Sequence, residues 1–236
     1  MFNSVGERLP IKQIIASQIE DAILTGVFAP GEKIPSENQL CAQFSVSRTS
    51  VREAVQILAT HGLVTVEKGR GIFVNKITSE SVVNPMEKYL RHSLDEGYVM
   101  DLVHARQIIE PSIAREAALN HDDSDIFLLE ASIESLRTEE LDYIKLASID
   151  MAFHFHLANA SKNSVVPLLL KPIHMLLPEI QSKVYQTVED GKDSAIIWHT
   201  KILDAVKQRN GDLAFQNMVE HLKISEKHVA KIVSNS

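Results

Sequence analysis

The sequence has a single cysteine, Cys41. No intrachain disulfide can form, and a reducing, cytoplasmic compartment is the expected setting. No apolar run approaches the roughly 20 residues that span a bilayer. The most apolar short stretch, Val165 to Leu170, contains Pro167 and ends at Lys171. The opening segment MFNSVGERLP has no basic stretch followed by an apolar one, so no secretory signal is expected. Internal repeats and low-complexity tracts are also lacking. A surplus of positive charge is missing too: the formal net charge is −7, which argues against a protein basic all over. At 44% hydrophobic and 23% charged residues, the chain is neither disordered nor fibrous.

The charge is unevenly placed. Residues 1–75 hold seven Lys/Arg and seven Asp/Glu, and the remainder holds 17 basic and 24 acidic residues, so all the net acidity lies in the C-terminal part. Four of the seven N-terminal cations fall between Arg48 and Arg70. That asymmetry predicts two domains with different partners, residues 1–78 and 79–236, joined near the polar stretch Asn75 to Ser81.

In the N-terminal part, Ile11, Ile14, Ile15, Ile19, Ala22 and Ile23 recur at helical spacing between Pro10 and Gly26. A turn-rich segment follows. Ser36 with Gln39 forms the pattern of a capping box for a short second helix through Phe44. Ser47 can cap a third helix with apolar positions Val51, Ala54, Val55, Leu58 and Ala59, stopped by Gly62. Two β-branched runs, Leu63–Glu67 and Gly71–Asn75, flank Lys68-Gly69-Arg70 and read as a hairpin.

Helix, short helix, helix and hairpin make a winged helix-turn-helix, whose third helix enters the major groove by its N-terminal end. Arg48 and Arg52 are one turn apart on that helix, where a guanidinium can grip guanine or clamp a phosphate. Thr49 and Ser50 are candidates for phosphate contact or capping. Glu53, beside Arg52, would repel phosphate unless it pairs with an Arg. Lys68, Gly69 and Arg70 put two cations on a turn free to approach the minor groove.

From about Val83 the helical period dominates. Helices are expected near 84–95, 99–120, 123–136, 139–160, 164–187, 192–209 and 211–233, an all-α bundle of about seven helices. Breaks are expected at Gly97, His121–Asp123, Ser161–Asn163, Glu189–Gly191 and Asn210-Gly211, with kinks at Pro172 and Pro178. The fold class is therefore mainly α.

Asp150 and His154 share one helix face with Leu146, Ala147, Phe153 and Leu157. His199 lies on the stripe of Ile196, Ile202, Leu203 and Val206, and His221 on that of Ala214, Met218 and Ile224. Inward-facing polar groups must be paired or metal-bound. One reading of Asp150 and His154 is a simple ion pair. The other is that all four residues hold one divalent ion, for which this N/O set suits Zn, Ni, Mn or Fe. Arg106 also faces an apolar stripe, so it needs an anion. Glu110, one turn on, is one source, and a ligand carboxylate is the other. His174, between Pro172 and Pro178, is a candidate pocket residue.

The N-terminal part resembles the GntR family of bacterial transcription regulators. The matching residues are Pro30-Gly31-Glu32-Lys33-Ile34-Pro35-Ser36-Glu37, Leu40, Val46 through Ala54, Leu58, Gly62-Leu63 and Gly69-Arg70-Gly71. Where the family usually places a DNA-contacting Arg after the Pro-Ser-Glu, this chain has Asn38. Asn38 can hydrogen-bond DNA but brings no charge.

The C-terminal part resembles the FCD-type effector domain of the FadR subfamily. It does so through Arg106-Gln107-Ile108-Ile109-Glu110, Asp150 through Leu157, Asn163, His199 with Ile202 and Ala205, and Gly211-Asp212, Ala214, Met218 and His221-Leu222. The resemblance implies that Asp150, His154, His199 and His221 bind a divalent metal, and that a small organic acid meets the metal or nearby groups. It places Arg106 and Asn163 in the effector pocket. A homodimer on operator DNA, with no membrane partner, is the expected assembly. A metal-sensing regulator is the competing reading, and a metalloenzyme on a helical bundle is a further one.

Overall fold

The computed structural model describes residues 9–76, 78–93, 98–140 and 142–234. The break expected at Gly97 and most of the N-terminal decapeptide lie outside them. The chain divides into two compact units, Met1–Ser81 and Val82–Ser236.

The first unit contains α1 (Ile11–Leu24), β1 (Lys33–Ile34), α2 (Glu37–Phe44), α3 (Arg48–Thr60), β2 (Val64–Glu67) and β3 (Gly71–Val74). Ser36 caps α2 as its spacing predicts: its hydroxyl accepts from Gln39 N–H, and its own N–H donates to Gln39 Oε1 at 2.8 Å. Ser47 Oγ accepts from Ser50 N–H at 3.2 Å and starts α3. The apolar faces of the three helices and the sheet meet in one core, which includes Ile15, Ile19, Leu40, Val51, Val55, Leu58, Ile72 and Val74.

The hairpin is larger than two strands. The turn-rich segment supplies β1, and the sheet runs β1-β3-β2, antiparallel throughout, with Lys33 opposite Phe73 and Val64 opposite Val74. Gly69 holds φ +78° in the hairpin turn, a conformation costly for other residues. Gly71 holds φ +130°, which disfavours any other residue there, whereas the Lys33 side-chain end that a Cβ would meet is flexible and can move aside.

The second unit is a helical bundle: α4 (Glu80–Ser93), α5 (Tyr98–Asn120), α6 (Asp123–Thr138), α7 (Tyr143–Ala160), α8 (Val165–His174), α9 (Pro178–Thr187), α10 (Gly191–Lys207) and α11 (Gly211–Val233). The single kinked helix expected over 164–187 is two helices. Pro178 has no N–H to donate to the His174 carbonyl, so α8 stops there and Pro178 opens α9. Asp122 caps α6 with a reciprocal box to Asp125, and Asp142 caps α7. The main core joins α5, α6, α7, α8, α10 and α11 through Ala114, Leu129, Phe153, Leu157, Leu170, Ile202, Met218 and Leu222. No helix among the described residues is long and apolar enough to cross a membrane.

Candidate metal centre and nucleic-acid interface

Four buried polar residues meet inside the bundle. Asp150 and His154 come from α7, His199 from α10 and His221 from α11, and all are buried. His154 Nε2 lies 3.3 Å from His199 Nε2 and 3.3 Å from His221 Nε2. The candidate ligand atoms of the three imidazoles all fall within 4.8 Å of one another. Asp150 Oδ1 is 3.3 Å from His199 Nε2 and has no hydrogen-bond partner. His199 Nδ1 is likewise buried and unpartnered, and the ring stacks on Phe153 at 4.0 Å between centroids.

A divalent ion fits this donor set. Bonds of ~2.0–2.1 Å from a tetrahedral ion put ligand nitrogens ~3.4 Å apart, close to the observed spacing. Packed without an ion, the cluster leaves the buried Asp150 Oδ1 unsatisfied, which is unfavourable. Burial also prepares the imidazoles, because it disfavours their charged forms. His154 falls from an ordinary 6.5 to about 4, and His199 and His221 are held well below 6.5. All three are therefore neutral near pH 7, the form that donates a lone pair. Burial acts oppositely on Asp150, raising it to about 7 although Arg106 pulls it down.

A second cluster adjoins the first. Arg106 and Glu110 are one turn apart on α5 and both are buried, paired through Arg106 Nε and Glu110 Oε1 at 2.6 Å. The internal anion is thus the one Arg106 uses in this structure. His174 Nε2 is 3.0 Å from the same Oε1, and His154 Nδ1 is 2.5 Å from Oε2. Burial alone would raise the Glu110 carboxyl, but Arg106 and His154 outweigh it and hold it well below 4.5. Burial would likewise lower the Arg106 guanidinium, but Glu110 raises it.

Asn163 stands apart from these groups. Its Oδ1 accepts from Val165 N–H at 3.0 Å, and it lines a mostly apolar cavity of about 290 Å³ with Ile108, Ser112, Glu116 and Val166. Sequence reasoning missed Tyr185 on α9. Its buried hydroxyl faces Asp150 and Gln181, and burial followed by the Asp150 charge holds it well above 10. No spacing rule links α9 to Asp150; only the fold brings them together.

The cations of the first unit are exposed. Arg48 and Thr49 open α3, Arg52 lies one turn on, and Asn38 is exposed on the first turn of α2. Ser50 Oγ is 3.0 Å from Ser47 Oγ, so it joins the cap. Arg52 Nε bonds Glu37 Oε2 at 3.0 Å, tying α3 to α2, a partner that sequence spacing did not single out. Glu53 pairs with Lys12 of α1 at 3.2 Å. Lys68, Gly69 and Arg70 form the exposed hairpin turn; Arg70 pairs with Glu67 and lies 5.5 Å from the Phe73 ring centroid. Among the described residues, Arg48 and Lys68 make no ion pair.

A winged helix-turn-helix with an exposed cationic recognition helix defines a DNA-binding protein. The comparisons say which kind. Residues 11–74 match the model for bacterial regulatory proteins of the gntR family, and residues 101–223 match that for the FCD domain. The Uxu operon regulator of Haemophilus influenzae is 31% identical over 223 residues, which is 89% of this chain and 78% of that protein. The Glc operon transcriptional activator of Escherichia coli K12 is 27% identical, spanning 96% of this chain and 91% of that one. Among solved structures, Streptococcus agalactiae GntR matches with a TM-score of 0.66 and 26% identity, covering 92% of this chain and 99% of that chain. The chain belongs to the GntR family and carries an FCD domain, a FadR-type combination. It is a DNA-binding transcription regulator and not an enzyme.

Proposed function

We propose that operator affinity is controlled by a small organic acid bound at a metal-containing pocket of the helical bundle. Residues 1–78 read DNA and residues 79–236 bind ligand and dimerise. Arg48 and Arg52 grip bases or phosphates, with Thr49, Ser50 and Asn38 as lesser contacts. Lys68, Gly69 and Arg70 track the minor groove. Two copies bind successive major grooves of a pseudo-palindrome.

The observation that carries the reading is the approach of His154, His199 and His221 to one point through their Nε2 atoms. With Asp150 they are the proposed ligands. Zn, Ni, Mn and Fe all suit the set. The bound ion supplies a Lewis-acidic anchor for a carboxylate. Arg106, His174 and Asn163 are the proposed effector residues; of these, Arg106 and His174 adjoin the cluster through Glu110. An effector shifts DNA affinity only by as much as it prefers one conformation over the other.

The test is a gel shift on DNA upstream of the protein's own gene. The metal-loaded dimer is assayed with and without members of a carboxylic-acid library chosen by thermal shift. An acid that raises the melting temperature and changes the shift supports the proposal. A shift that follows the metal alone makes the ion the signal. The absence of salt-sensitive DNA binding defeats both readings.

A further inference from the structure

A neutral imidazole carries one N–H, and which nitrogen holds it decides where the lone pair points. His154 is the hub of the cluster, since its Nε2 meets both His199 and His221 at 3.3 Å. It can serve a cation there only as the Nδ1–H tautomer. We propose that Glu110 is the positioning residue of the centre: its carboxylate accepts the His154 Nδ1 proton and so aims the Nε2 lone pair at the point shared with His199 and His221. This rests on the metal reading above and adds a residue to it.

Three observations support the assignment. His154 Nδ1 lies 2.5 Å from Glu110 Oε2 as an ion-pair contact; Oε2 is a buried acceptor with no other partner among the described residues, and both groups are shielded from water, so the His154 proton is the one available to it. The carboxylate is itself pinned, because Oε1 accepts from Arg106 Nε at 2.6 Å and lies 3.0 Å from His174 Nε2. It therefore cannot rotate away from His154 without abandoning two other buried donors. The third observation is the position of Arg106. Its Nη2 is 3.3 Å from His154 Nδ1 and 3.1 Å from Nε2. A donor lying in the ring plane at one nitrogen is much farther from the other. Near-equal distances place Nη2 over the ring face, where it leaves the in-plane direction at Nε2 open. The guanidinium thus steadies the ring without occupying the lone pair.

A carboxylate behind a ligating imidazole both orients the ring and strengthens it as a donor, and loss of such a partner typically weakens metal binding ~10–100-fold. The Glu110→Gln substitution keeps the shape but offers one acceptor oxygen to three buried donors.

The experiment has two arms on the full-length protein. Long-range proton–nitrogen correlation spectra of the metal-free wild type read the tautomer directly. His154 is expected as Nδ1–H with a bare Nε2, and a proton on Nε2 overturns the assignment. Co2+ titration followed by its visible bands then compares wild type, Glu110→Gln and Asp125→Asn. The last removes a buried carboxylate that caps α6 and pairs with Lys162, far from this chemistry in role. Glu110→Gln is expected to bind Co2+ ~10–100-fold more weakly, and Asp125→Asn to bind it as wild type does. Equal affinity in Glu110→Gln, or an equal loss in Asp125→Asn, overturns the role. A wild type that takes up no Co2+ removes the metal from the proposed function, and the tautomer then decides on Glu110 alone.

Discussion

The two units place their charges oppositely. On α3 and the hairpin turn, Arg48, Arg52, Lys68 and Arg70 are exposed, and their pairings are with Glu37 and Glu67 at the surface. In the bundle, Arg106, Glu110, Asp150, His154, His174, His199 and His221 are all buried and meet one another. Under the proposed function the difference follows from partner size. A duplex is too large to be enclosed, so its contacts must stand at the surface and stay weakly committed. The partners proposed for the bundle, a cation and a small acid, are small enough to be enclosed, where low dielectric makes each contact stronger and each unmet group costlier. The first unit should therefore tolerate charge removal and lose binding, while the second should lose stability.

The sharpest way to break this contrast is Glu110→Leu. It strands Arg106, which is 3% exposed, and should cost about 3–5 kcal/mol in a denaturant titration. Unchanged stability would show that the bundle pairs are as dispensable as surface ones. Arg48→Ala with Arg52→Ala should do the reverse. Folding stability should move by less than ~0.5 kcal/mol. Operator affinity should fall by ~1–3 kcal/mol for each bidentate base contact, or the salt slope by ~1 for each phosphate contact.

Acidity sharpens the comparison further. His154, His174, His199 and His221 all have folded values below the ordinary 6.5, so the unfolded chain takes up protons that the folded chain refuses as pH falls. Stability is full above 6.5 and is lost on the way down to about 4, the His154 value. Asp150, raised from 3.8 to about 7, works against this by binding one proton on folding. Four imidazoles outnumber one carboxyl, so the metal-free protein should have a lower denaturation midpoint at pH 5 than at pH 7. Bound metal should steepen the loss, since protons compete for its ligands. The smallest expected effect is Ser36→Ala, which removes the α2 cap and should cost about 0.5–2 kcal/mol by thermal melt.

Local rules made much of the fold legible. The caps at Ser36 and Ser47 lie where hydroxyls precede apolar runs, and both form. The inward faces of α7, α10 and α11 were visible because Asp150, His154, His199 and His221 interrupt apolar stripes at helical spacing. Spacing could not show that β1 joins the sheet, since two residues carry no period. Nor could it show that Pro178 ends one helix and opens the next rather than kinking it, because both outcomes suit a proline. Asn163, placed in the effector pocket by resemblance, lines a cavity with Ile108 and Val166, a grouping that spacing along the chain does not reveal.

What the sequence decided by itself was the kind of residue at each place: cations one turn apart on a capped helix, and imidazoles on faces that cannot meet water. Periodicity and capping act within a few residues, so they can be read along the chain. What only the tertiary structure decided was which buried groups meet: His174 and His154 on one carboxylate, Tyr185 beside Asp150, Arg52 on Glu37. Those meetings depend on how separate elements pack, and packing is set by the whole core rather than by any local stretch.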